Sequence, residues 1–341
     1  MSSERTVEQE RLASIVGRFS RVRVVVVGDL VADQFLYGEI ARVSREAPVF
    51  ILRHERTETL PGGAANCALN LASLGAQVSL VGVVGDDEAG RALLEKLGQA
   101  GVSCASVRAV AGSRTTTKVR VLAGQAHSAR QQVIRVDYED GPLADNRLRV
   151  ELRESLRKEA LDAGAVIISD YNYGVADEEM SEAVRETVRA RQVPVLVDSR
   201  FRLSSFPNFT SATPNEDEVE QLLGRKLSDE SAVEEAGAQL RERLGLTALL
   251  ITRGGHGMML FEEGREPQQL DAVGASEPVD GTGAGDTVIA AYALSIASGA
   301  QFADAARLAN HAGGLVVMKR GTASINSDEL LHSVRHSADS L

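Results

Sequence analysis

Short apolar runs alternate with helical patterns along most of the chain. The run Val22–Val27 is β-branched at every position except Arg23, and its near-continuous apolar character is typical of a strand buried on both faces of a parallel sheet. Similar runs recur at Val78–Val84, Ala165–Ile168, Val193–Val197 and Ala248–Ile251. Helical spacing of apolar positions lies between or after these runs, at residues 64–74, 87–99, 150–162, 178–191, 215–224, 231–244, 283–298 and 303–318. The alternation predicts right-handed βαβ units and an open, mostly parallel sheet that helices cover on both faces.

Two segments do not follow this pattern. Residues 34–60 and 113–138 are rich in Thr, Val, Arg and Gln, and they alternate partly with period two. In the second segment, Val119 is expected on one face of a strand, with Lys118 and Arg120 on the other face. We predict that both segments form a small sheet that projects from the main sheet as a lid, because a half-polar sheet face needs a ligand or a partner to cover it.

The composition narrows the class of protein. The 341 residues include 37 Lys+Arg and 48 Asp+Glu, and the net charge of −11 argues against a general nucleic-acid binder, which would present a basic field. With 43% hydrophobic and 25% charged residues, the chain has ample material for a core. No apolar run approaches the roughly 20 residues that span a bilayer, and the N-terminus lacks the apolar core of a signal peptide. Cys67 and Cys104 form neither a CxxC pair nor a disulfide framework, so we expect a reducing, cytoplasmic setting.

The sharpest local motif is the glycine-rich turn Asp280–Asp286 (DGTGAGD), which leads directly into an apolar helix. Small residues before a helix leave backbone N–H groups unpaired at the positive end of the helix dipole, and such groups make an anion cradle. A carboxylate within that cradle, Asp286, indicates proton abstraction next to a phosphate. The alternative is an ordinary helix start, in which Asp286 only satisfies the first turn.

Two further motifs contain candidate ligands for a hydroxylated substrate. In Pro61–Asn66 (PGGAAN), the glycines allow close backbone approach to a ligand, and Asn66 offers both a donor and an acceptor. The alternative is a tight turn with a capped helix. Asp29 and Asp33 follow the first predicted strand, at the edge where open α/β sheets bind ligands. For Asp29, a solvated loop acid is the alternative.

The segment Thr213–Glu218 (TPNEDE) suits a metal ion beside phosphates. Asn215 and Glu218 are three residues apart at a helix start and share a face, which fits water-mediated Mg²⁺ binding. The alternative is a capping box, and the two interpretations are compatible. The sequence contains no P-loop, no HExxH zinc helix and no serine nucleophile elbow, and the first strand ends in GDLVAD rather than in a dinucleotide fingerprint.

Together these motifs resemble the ribokinase/pfkB family of carbohydrate kinases. The matching motifs, in the order of the family, are GDLVAD at 28–33, GGAAN at 62–66, GDDEAG at 85–90, NEDE at 215–218 and DGTGAGD at 280–286. One departure is Gly281, where the family more often carries Thr or another small residue. The resemblance implies a ribokinase-like three-layer α/β/α sandwich with a mostly parallel central sheet and a small projecting β-sheet lid. It also implies a phosphotransferase that acts on a sugar hydroxyl.

The resemblance implies a role for each matched position. Asp286 would be the general base that takes the proton from the acceptor hydroxyl, and the surrounding backbone dipoles should keep it ionised at neutral pH. The implied anion-hole residues are Gly283, Ala284 and Gly285, and the implied sugar-binding residues are Asp33, Gly62, Gly63 and Asn66. The implied nucleotide-binding residues are Asn215, Thr252, Gly254, Gly257, Gly283, Gly285 and Asn310. ATP and Mg²⁺ are the expected cofactors, with Asn215 and Glu218 supporting Mg²⁺ through water and a monovalent cation such as K⁺ expected near residues 273–280 and 320–324.

Within the family, the chain most resembles the kinase module that phosphorylates the anomeric hydroxyl of D-glycero-D-manno-heptose 7-phosphate for lipopolysaccharide biosynthesis. The matching stretches are SREAPV at 44–49, PGGAANCALNLASLGAQVSLVG at 61–82, TKVRVL at 117–122, QQVIRVDYE at 131–139, ATPN at 212–215 and GAGDTVIA at 283–290. Two positions depart: Tyr173 and Arg200 both stand where that module carries a lysine. A substrate phosphate would need local cations, and Lys118, Arg120, Arg135 and Arg200 are candidates. For each of the four, the alternative is a solvated lid or strand-end residue.

Other readings of the same scaffold remain open. The acceptor could instead be ribose, fructose, a sugar acid or a nucleoside, or the chain could be a non-catalytic sugar or nucleotide sensor, against which the intact Asp286 argues. Bifunctional heptose kinases carry a second domain with an HxGH motif, which this sequence lacks, so we expect a single kinase domain over residues 1–341. Exposed edges and faces of a lid sheet invite association, which predicts a homodimer through the lid and no nucleic-acid or membrane partner.

Overall fold

Two β-sheets and a set of surrounding helices make up the computed structural model, which describes residues 2–124, 130–274 and 278–336. Within these residues the strands are β1 (Arg23–Gly28), β2 (Leu30–Val43), β3 (Phe50–Gly63), β4 (Gln77–Gly85), β5 (Ser103–Val110), β6 (Thr117–Gly124), β7 (Gln131–Tyr138), β8 (Ala165–Asp170), β9 (Val195–Ser199), β10 (Ser211–Ala212), β11 (Ala248–Thr252), β12 (Met258–Glu262) and β13 (Gln268–Leu270). The α-helices are α1 (Ser2–Val16), α2 (Ala64–Ser73), α3 (Glu88–Gln99), α4 (Asn146–Glu159), α5 (Glu178–Arg189), α6 (Glu216–Leu223), α7 (Glu230–Leu244), α8 (Ala284–Ala297), α9 (Phe302–Val316) and α10 (Ser327–His336).

The valines of β1 show why helices cover the large sheet on both faces. Val24 and Val26 belong to one hydrophobic core, whereas Val25 and Val27 belong to the other, and all four are fully buried. The first core contains side chains of α1, α2, α3, α8, α9 and α10, and the second contains side chains of α4, α5, α6 and α7. Because successive side chains of a strand point to opposite faces, an uninterrupted apolar run serves both cores. The three-layer α/β/α arrangement is therefore confirmed.

The large sheet has the strand order β13-β12-β11-β10-β9-β8-β1-β4-β5. Its pairs are parallel from β5 to β11, and only the β11–β12 and β12–β13 pairs are antiparallel. The five predicted apolar runs correspond to β1, β4, β8, β9 and β11. The edge strands β5, β12 and β13 and the last helix, α10, were not predicted. The helix predicted at 150–162 begins earlier, as α4, and its last residues form a 3₁₀ turn at Ala160–Asp162.

The small sheet has the order β3-β2-β6-β7 and confirms the predicted lid strands. The register pairs Asp33 of β2 with Lys118 of β6, and Phe35 with Arg120. Lys118 and Arg120 therefore lie on the same face as Asp33, and Val119 lies on the opposite face, as the alternation predicted. The part of the lid segment at residues 125–129 lies outside the described residues.

The candidate residues converge at one edge of the large sheet. The central strands β1, β8 and β9 end at Gly28, Asp170 and Ser199, and helices α2 and α8 begin beside that edge and pack against each other through buried side chains. The strands β2 and β3 leave from the same edge to form the lid. Among the described residues, no helix is long and apolar enough to cross a membrane.

Candidate active site

The turn before α8 presents unpaired backbone N–H groups, as the sequence predicted. Gly283 has a φ of 77°, in the left-handed region, and a Cβ there would lie 2.5 Å from the amide nitrogen of Asn66, so only glycine fits. Among the described residues, the N–H groups of Gly283 and Gly285 have no hydrogen-bond acceptor, whereas the N–H of Ala284 donates to the carbonyl of Gly281 at 3.2 Å. Two of the three predicted anion-hole N–H groups are thus available to a ligand.

Asp280 fixes the shape of this turn. Its carboxylate accepts hydrogen bonds from the N–H of Thr282 and from the N–H of Gly321, each at 2.9 Å. Burial raises the pKa of the Asp280 carboxyl, but these N–H groups stabilise the ionised form and the net effect lowers it. Asp280 therefore fixes the start of the glycine-rich turn and connects it to the loop after α9. The predicted monovalent-cation site lies partly at residues 275–277, outside the described residues.

Asp286 lies in the first turn of α8 with only 3% of its surface exposed. Its Oδ2 accepts a hydrogen bond from the Asn66 amide at 2.8 Å, and its Oδ1 accepts one from the Tyr171 hydroxyl at 3.0 Å. Burial raises the pKa of Asp286 to about 7, although the two hydrogen bonds oppose the rise. The expectation that Asp286 is ionised at neutral pH considered only the backbone dipoles and neglected the loss of water around the carboxylate, which brings its pKa close to neutrality.

A chain of buried amides supports the Asp286 contact. Asn66 is fully buried, and its Oδ1 accepts a hydrogen bond from the Asn70 amide at 3.2 Å. The Thr287 hydroxyl donates to Asn70 Oδ1 at 3.0 Å, which closes the chain between α2 and α8. The Asn66 amide nitrogen, predicted to hold sugar, is thus already engaged by the carboxylate. That arrangement orients Asp286 and fixes α2 against α8.

The loop after β8 brings Tyr171 to the carboxylate. Asp29 is 1% exposed, and its carboxylate accepts hydrogen bonds from the N–H groups of Tyr171 and Tyr173, both at 2.9 Å, and of Val175 at 3.1 Å. Burial raises the pKa of Asp29, and the three N–H groups oppose the rise. Asp29 is therefore not a solvated loop acid, because main-chain N–H groups occupy both of its carboxylate oxygens. It tethers the loop that carries Tyr171.

The predicted sugar-binding residues lie under the lid. Asp33 is 5% exposed and forms an ion pair with Arg120, while a Cβ on Gly62 would lie 2.5 Å from the Asp33 carboxylate. The close approach explains the glycine at that position. Gly63 packs equally closely, because a Cβ there would lie 2.7 Å from the Asp29 carbonyl. Burial raises the pKa of Asp33 even though Arg120 opposes the rise.

The four candidate cations have different surroundings. Lys118 lies with its ammonium 5.5 Å from the centre of the Tyr171 ring, and burial lowers its pKa. Arg120 is paired with Asp33, and Arg135 makes two hydrogen bonds of 2.9 Å with Asp137. Arg200 is exposed and lies 5.8 Å from the Phe201 ring. Arg120 is thus not a solvated lid residue.

A separate cleft of about 730 Å³ collects most of the predicted nucleotide-binding residues. Its walls include Thr252, Gly254, Gly257, Ala284, Gly285 and Asn310. The Asn310 amide donates to the carbonyl of Asp271 at 2.7 Å, which holds that wall of the cleft against α9. His256 lies in the 3₁₀ turn Gly254–His256, in agreement with its interpretation as a turn residue.

Asn215 and Glu218 form the capping box at the start of α6. The Glu218 N–H donates to Asn215 Oδ1 at 2.8 Å, and the Asn215 N–H donates to Glu218 Oε2 at 3.0 Å. Asn215 also forms a β-bridge with Thr252, so the box lies beside the nucleotide cleft. The second carboxylate oxygen of Glu218 accepts no hydrogen bond from the described residues, which fits a water molecule of hydrated Mg²⁺. Within the same residues, no group of three or more His, Cys, Asp or Glu side chains could hold a metal ion.

Sequence reasoning missed three residues near the site. Tyr171 contacts Asp286, and Arg253, in the wall of the nucleotide cleft, is hydrogen-bonded to Glu216 at 2.8 Å. Asp198, at the end of β9, is close enough to Asp286 for the charges to interact, and burial raises its pKa well above the ordinary value. All three follow a predicted strand at its carboxyl end. That position was the available signal, since ligands of open α/β sheets bind there.

Comparison with known proteins gives the family. A family model described as "pfkB family carbohydrate kinase" matches residues 22–329 of the chain. The chain belongs to the pfkB family. Its members are carbohydrate kinases, which transfer a phosphoryl group to a sugar hydroxyl. The predicted family and enzyme class are thus confirmed.

Two similar relatives are bifunctional proteins. The chain is 42% identical over 324 residues to the bifunctional protein HldE of Edwardsiella ictaluri and 40% identical over 320 residues to that of Pseudomonas aeruginosa. These matches cover 94% and 93% of this chain. In both cases they cover 65% of the relative, so the chain spans just under two thirds of the length of these relatives.

Solved structures support the ribokinase-like fold. The Arabidopsis thaliana ribokinase complexed with ribose and ATP has a TM-score of 0.70 at 24% identity, and the match covers 92% of this chain and 98% of that one. The Escherichia coli phosphofructokinase-2 in complex with potassium has a TM-score of 0.75 at 18% identity, with 93% and 99% covered. At these identities the likeness concerns the fold alone.

Proposed function

We propose that the chain transfers the γ-phosphoryl group of ATP to a sugar hydroxyl with Asp286 as the general base. The observation that carries the proposal is the position of Asp286 in a turn whose unpaired N–H groups can hold an anion, between the lid and the nucleotide cleft. Asp280 and Thr282 of this turn face the lid, whereas Ala284 and Gly285 line the nucleotide cleft. A phosphoryl donor and an acceptor can therefore meet at the turn from opposite sides.

The residues around the turn supply position and charge. Asp286 takes the proton of the acceptor hydroxyl, and the N–H groups of Gly283 and Gly285 hold the transferring phosphoryl oxygens in the positive end of the α8 dipole. Asn66 and Tyr171 orient the base through its two oxygens. Mg²⁺, when bound with ATP, neutralises phosphate charge, and Asn215 and Glu218 would hold its water shell.

The acceptor that we propose is the anomeric hydroxyl of D-glycero-D-manno-heptose 7-phosphate. Support comes from the identity of about 40% to the HldE proteins across this region and from the cations that surround the lid side of the site. Asp33, Gly62 and Gly63 would contact the sugar, with Lys118 and Arg120 close by. Ribose, fructose and other sugars are the alternative acceptors on the same scaffold.

We also propose that two copies associate through the lid. On the face of the small sheet opposite Arg120, the edge strand β7 exposes Ile134 at 54% and Val136 at 39%, and the other edge strand, β3, exposes Phe50 at 59%. Large apolar side chains on an exposed sheet favour burial against another surface. A second copy of the same sheet would bury these side chains symmetrically.

An ADP-release assay with Mg-ATP and a panel of sugars and sugar phosphates tests the function. We expect turnover to be fastest with heptose 7-phosphate and at least about tenfold slower, as kcat/KM, with fructose, ribose or their phosphates, because buried polar contacts discriminate strongly. Turnover only with another sugar would retain the kinase and discard the heptose. ATP binding without turnover on any sugar would favour the sensor hypothesis.

Tyr171→Phe should shift the pH dependence of the reaction. The Tyr171 hydroxyl stabilises the ionised form of Asp286, so its loss raises the pKa of the base further above 7. A hydrogen bond to a charged group corresponds to about one pH unit, so the acidic limb of the kcat profile should move up by about that amount. Kinetics between about pH 5.5 and 9 measure the shift.

Other titratable groups interact with Asp286 and must be unchanged in this comparison. They are Asp33 on β2, Cys67 on α2, Lys118 on β6 and Asp198 on β9. Tyr173→Phe is the matched control, because the Tyr173 hydroxyl is bonded to Glu139 and not to Asp286. An identical pH profile for the two variants would show that Tyr171 does not tune the base.

A further inference from the structure

A second cleft lies between the lid and the turn before α8. Its volume is about 600 Å³, and one wall is formed by lid side chains, including Phe35, Tyr37 and Arg120. The opposite wall is formed by residues of the body, including Asp280 and Arg320. This lid cleft is distinct from the nucleotide cleft, with which it shares only the glycine-rich turn between them.

Positive charge dominates the lid cleft. Four arginines line it, two from lid strands, one just before β7 and one from the loop after α9, whereas only Glu58 and Asp280 are acidic. The four are Arg56, Arg120, Arg130 and Arg320. The chain as a whole carries a net charge of −11, so the positive charge of the cleft beside the glycine-rich turn contrasts with the acidic composition of the chain. Local positive charge in a cleft concentrates anionic ligands.

Two of these arginines, Arg56 and Arg320, have no carboxylate partner within the described part of the chain. The other two are paired, Arg120 with Asp33 and Arg130 with Glu55. The guanidinium of Arg56 stacks on the Tyr37 ring with 3.6 Å to its centre, which fixes the group while leaving its N–H edge available. Arg320 makes no ion pair with the described residues. Arg56 and Arg320 thus face the same cleft from the lid and from the body with uncompensated charge.

We propose that the lid cleft binds a phosphate group of the acceptor sugar, distal to the hydroxyl that reacts, and that Arg56 and Arg320 are its main ligands. Planar guanidinium groups bind phosphate oxygens through paired N–H donors, and two of them on opposite walls would clamp one dianion. The proposal rests on the proposed function, in which the acceptor is a sugar phosphate, and specifies the residues that recognise its phosphate. It adds two arginines that the sequence motifs did not indicate.

The position of the lid cleft fits an acceptor sugar that carries its phosphate at the end opposite the reacting hydroxyl. Arg120 lines the cleft and also pairs with Asp33, so the cleft begins where the predicted sugar-binding residues end. Thr282 lines the same cleft one residue before Gly283 of the anion cradle. A sugar with its reacting hydroxyl at Asp286 would therefore extend its other end past Asp33 toward the arginines.

The test is calorimetric titration of heptose 7-phosphate and of unphosphorylated heptose into the wild type and into Arg56→Gln and Arg320→Gln. Each loss of a charged hydrogen-bonding partner should raise the Kd of the phosphorylated sugar about 10-fold and change that of the unphosphorylated sugar less than about 2-fold. Arg53→Gln is the matched control, because Arg53 lies on the same strand but pairs with Glu39 at 3.6 Å and does not line the cleft. ADP release is measured on the same proteins.

The outcomes separate the two proposals. If the wild type binds both sugars equally, or if the variants lose affinity for both sugars alike, the lid cleft is not a phosphate site, whatever the ADP assay shows. If the phosphate-dependent affinity falls as expected but no sugar supports ADP release, the subsite stands and the kinase function fails. Weakening by Arg53→Gln to the same degree would indicate a general charge effect and overturn the assignment.

Discussion

Asp286→Asn should lower kcat by at least about a thousandfold and leave the protein folded. General-base catalysis contributes roughly 10²–10⁴ in rate, and the amide cannot accept the proton of the acceptor hydroxyl. Its shape matches the carboxylate, so its oxygen can still accept from Asn66 while its nitrogen donates to the Tyr171 oxygen. ATP affinity should be unchanged, since Asp286 is not among the residues that line the nucleotide cleft.

The same substitution should stabilise the fold at neutral pH. The pKa of Asp286 rises from an ordinary 3.8 to about 7 because burial penalises its ionised form. The folded state thus binds a proton more tightly than the unfolded state, and the wild type loses stability as the pH rises from about 4 to 7. An asparagine does not ionise, so the free energy of unfolding of the variant should exceed that of the wild type by more at pH 8 than at pH 5.

Both effects are measurable on one preparation. Steady-state ADP release gives kcat, and urea unfolding at the two pH values gives the difference in free energy of unfolding. Asp162→Asn is the control, since Asp162 is an exposed acid in the 3₁₀ turn after α4, before β8, whereas the site residue Tyr171 follows the other end of that strand. Full turnover by Asp286→Asn would exclude Asp286 as the base. Equal stability changes at both pH values would contradict the raised pKa.

Asp29→Ala should cost on the order of 3–5 kcal/mol of the free energy of unfolding. The substitution leaves three backbone N–H groups without their acceptor in a buried loop, and each unsatisfied buried group costs about 1–3 kcal/mol. Such a loss is a large part of the 5–15 kcal/mol that typically stabilises a domain. Because the loop also carries Tyr171, kcat should fall together with stability.

Asp86→Ala provides the comparison for this prediction. Asp86 also follows a strand of the large sheet, but its side chain is 60% exposed and pairs on the surface with Arg91 at 2.9 Å. Its removal should change the free energy of unfolding by less than about 0.5 kcal/mol. Urea unfolding measures both variants. If Asp29→Ala were no less stable than Asp86→Ala, the loop would not depend on the Asp29 carboxylate.

The sequence predicted the fold well at β1, whose side chains belong alternately to the two hydrophobic cores. Within β1, residues Val24–Val27 are all apolar because both faces of the strand are buried, and such a run can be recognised from the sequence alone. The edge strand β5 was missed because Ser103, Ser106 and Arg108 interrupt its apolar positions. An edge strand contacts fewer neighbours, so its sequence is less constrained and its pattern is weaker.

The sequence predicted only part of the site, for a different reason. Motifs indicate which backbone segments meet at the turn before α8, but not which side chains face each other there. The contact between Asp286 and Tyr171 joins residues 115 positions apart, and that between Asp29 and Tyr173 joins residues 144 positions apart. The raised pKa of Asp286 depends on burial by several elements at once, which no local pattern encodes.

The tether at Asp29 has a consequence for how this loop can change. Asp29 accepts hydrogen bonds from the main-chain N–H groups of residues 171, 173 and 175, so these bonds do not depend on which side chains those positions carry. A tyrosine can therefore stand at position 173, where the sequence resemblance implied a lysine, with no loss of loop shape. For protein engineering, position 173 is therefore a place near the reaction centre where side chains can be exchanged without altering the main chain of the loop, whereas position 171 is constrained by its hydrogen bond to Asp286.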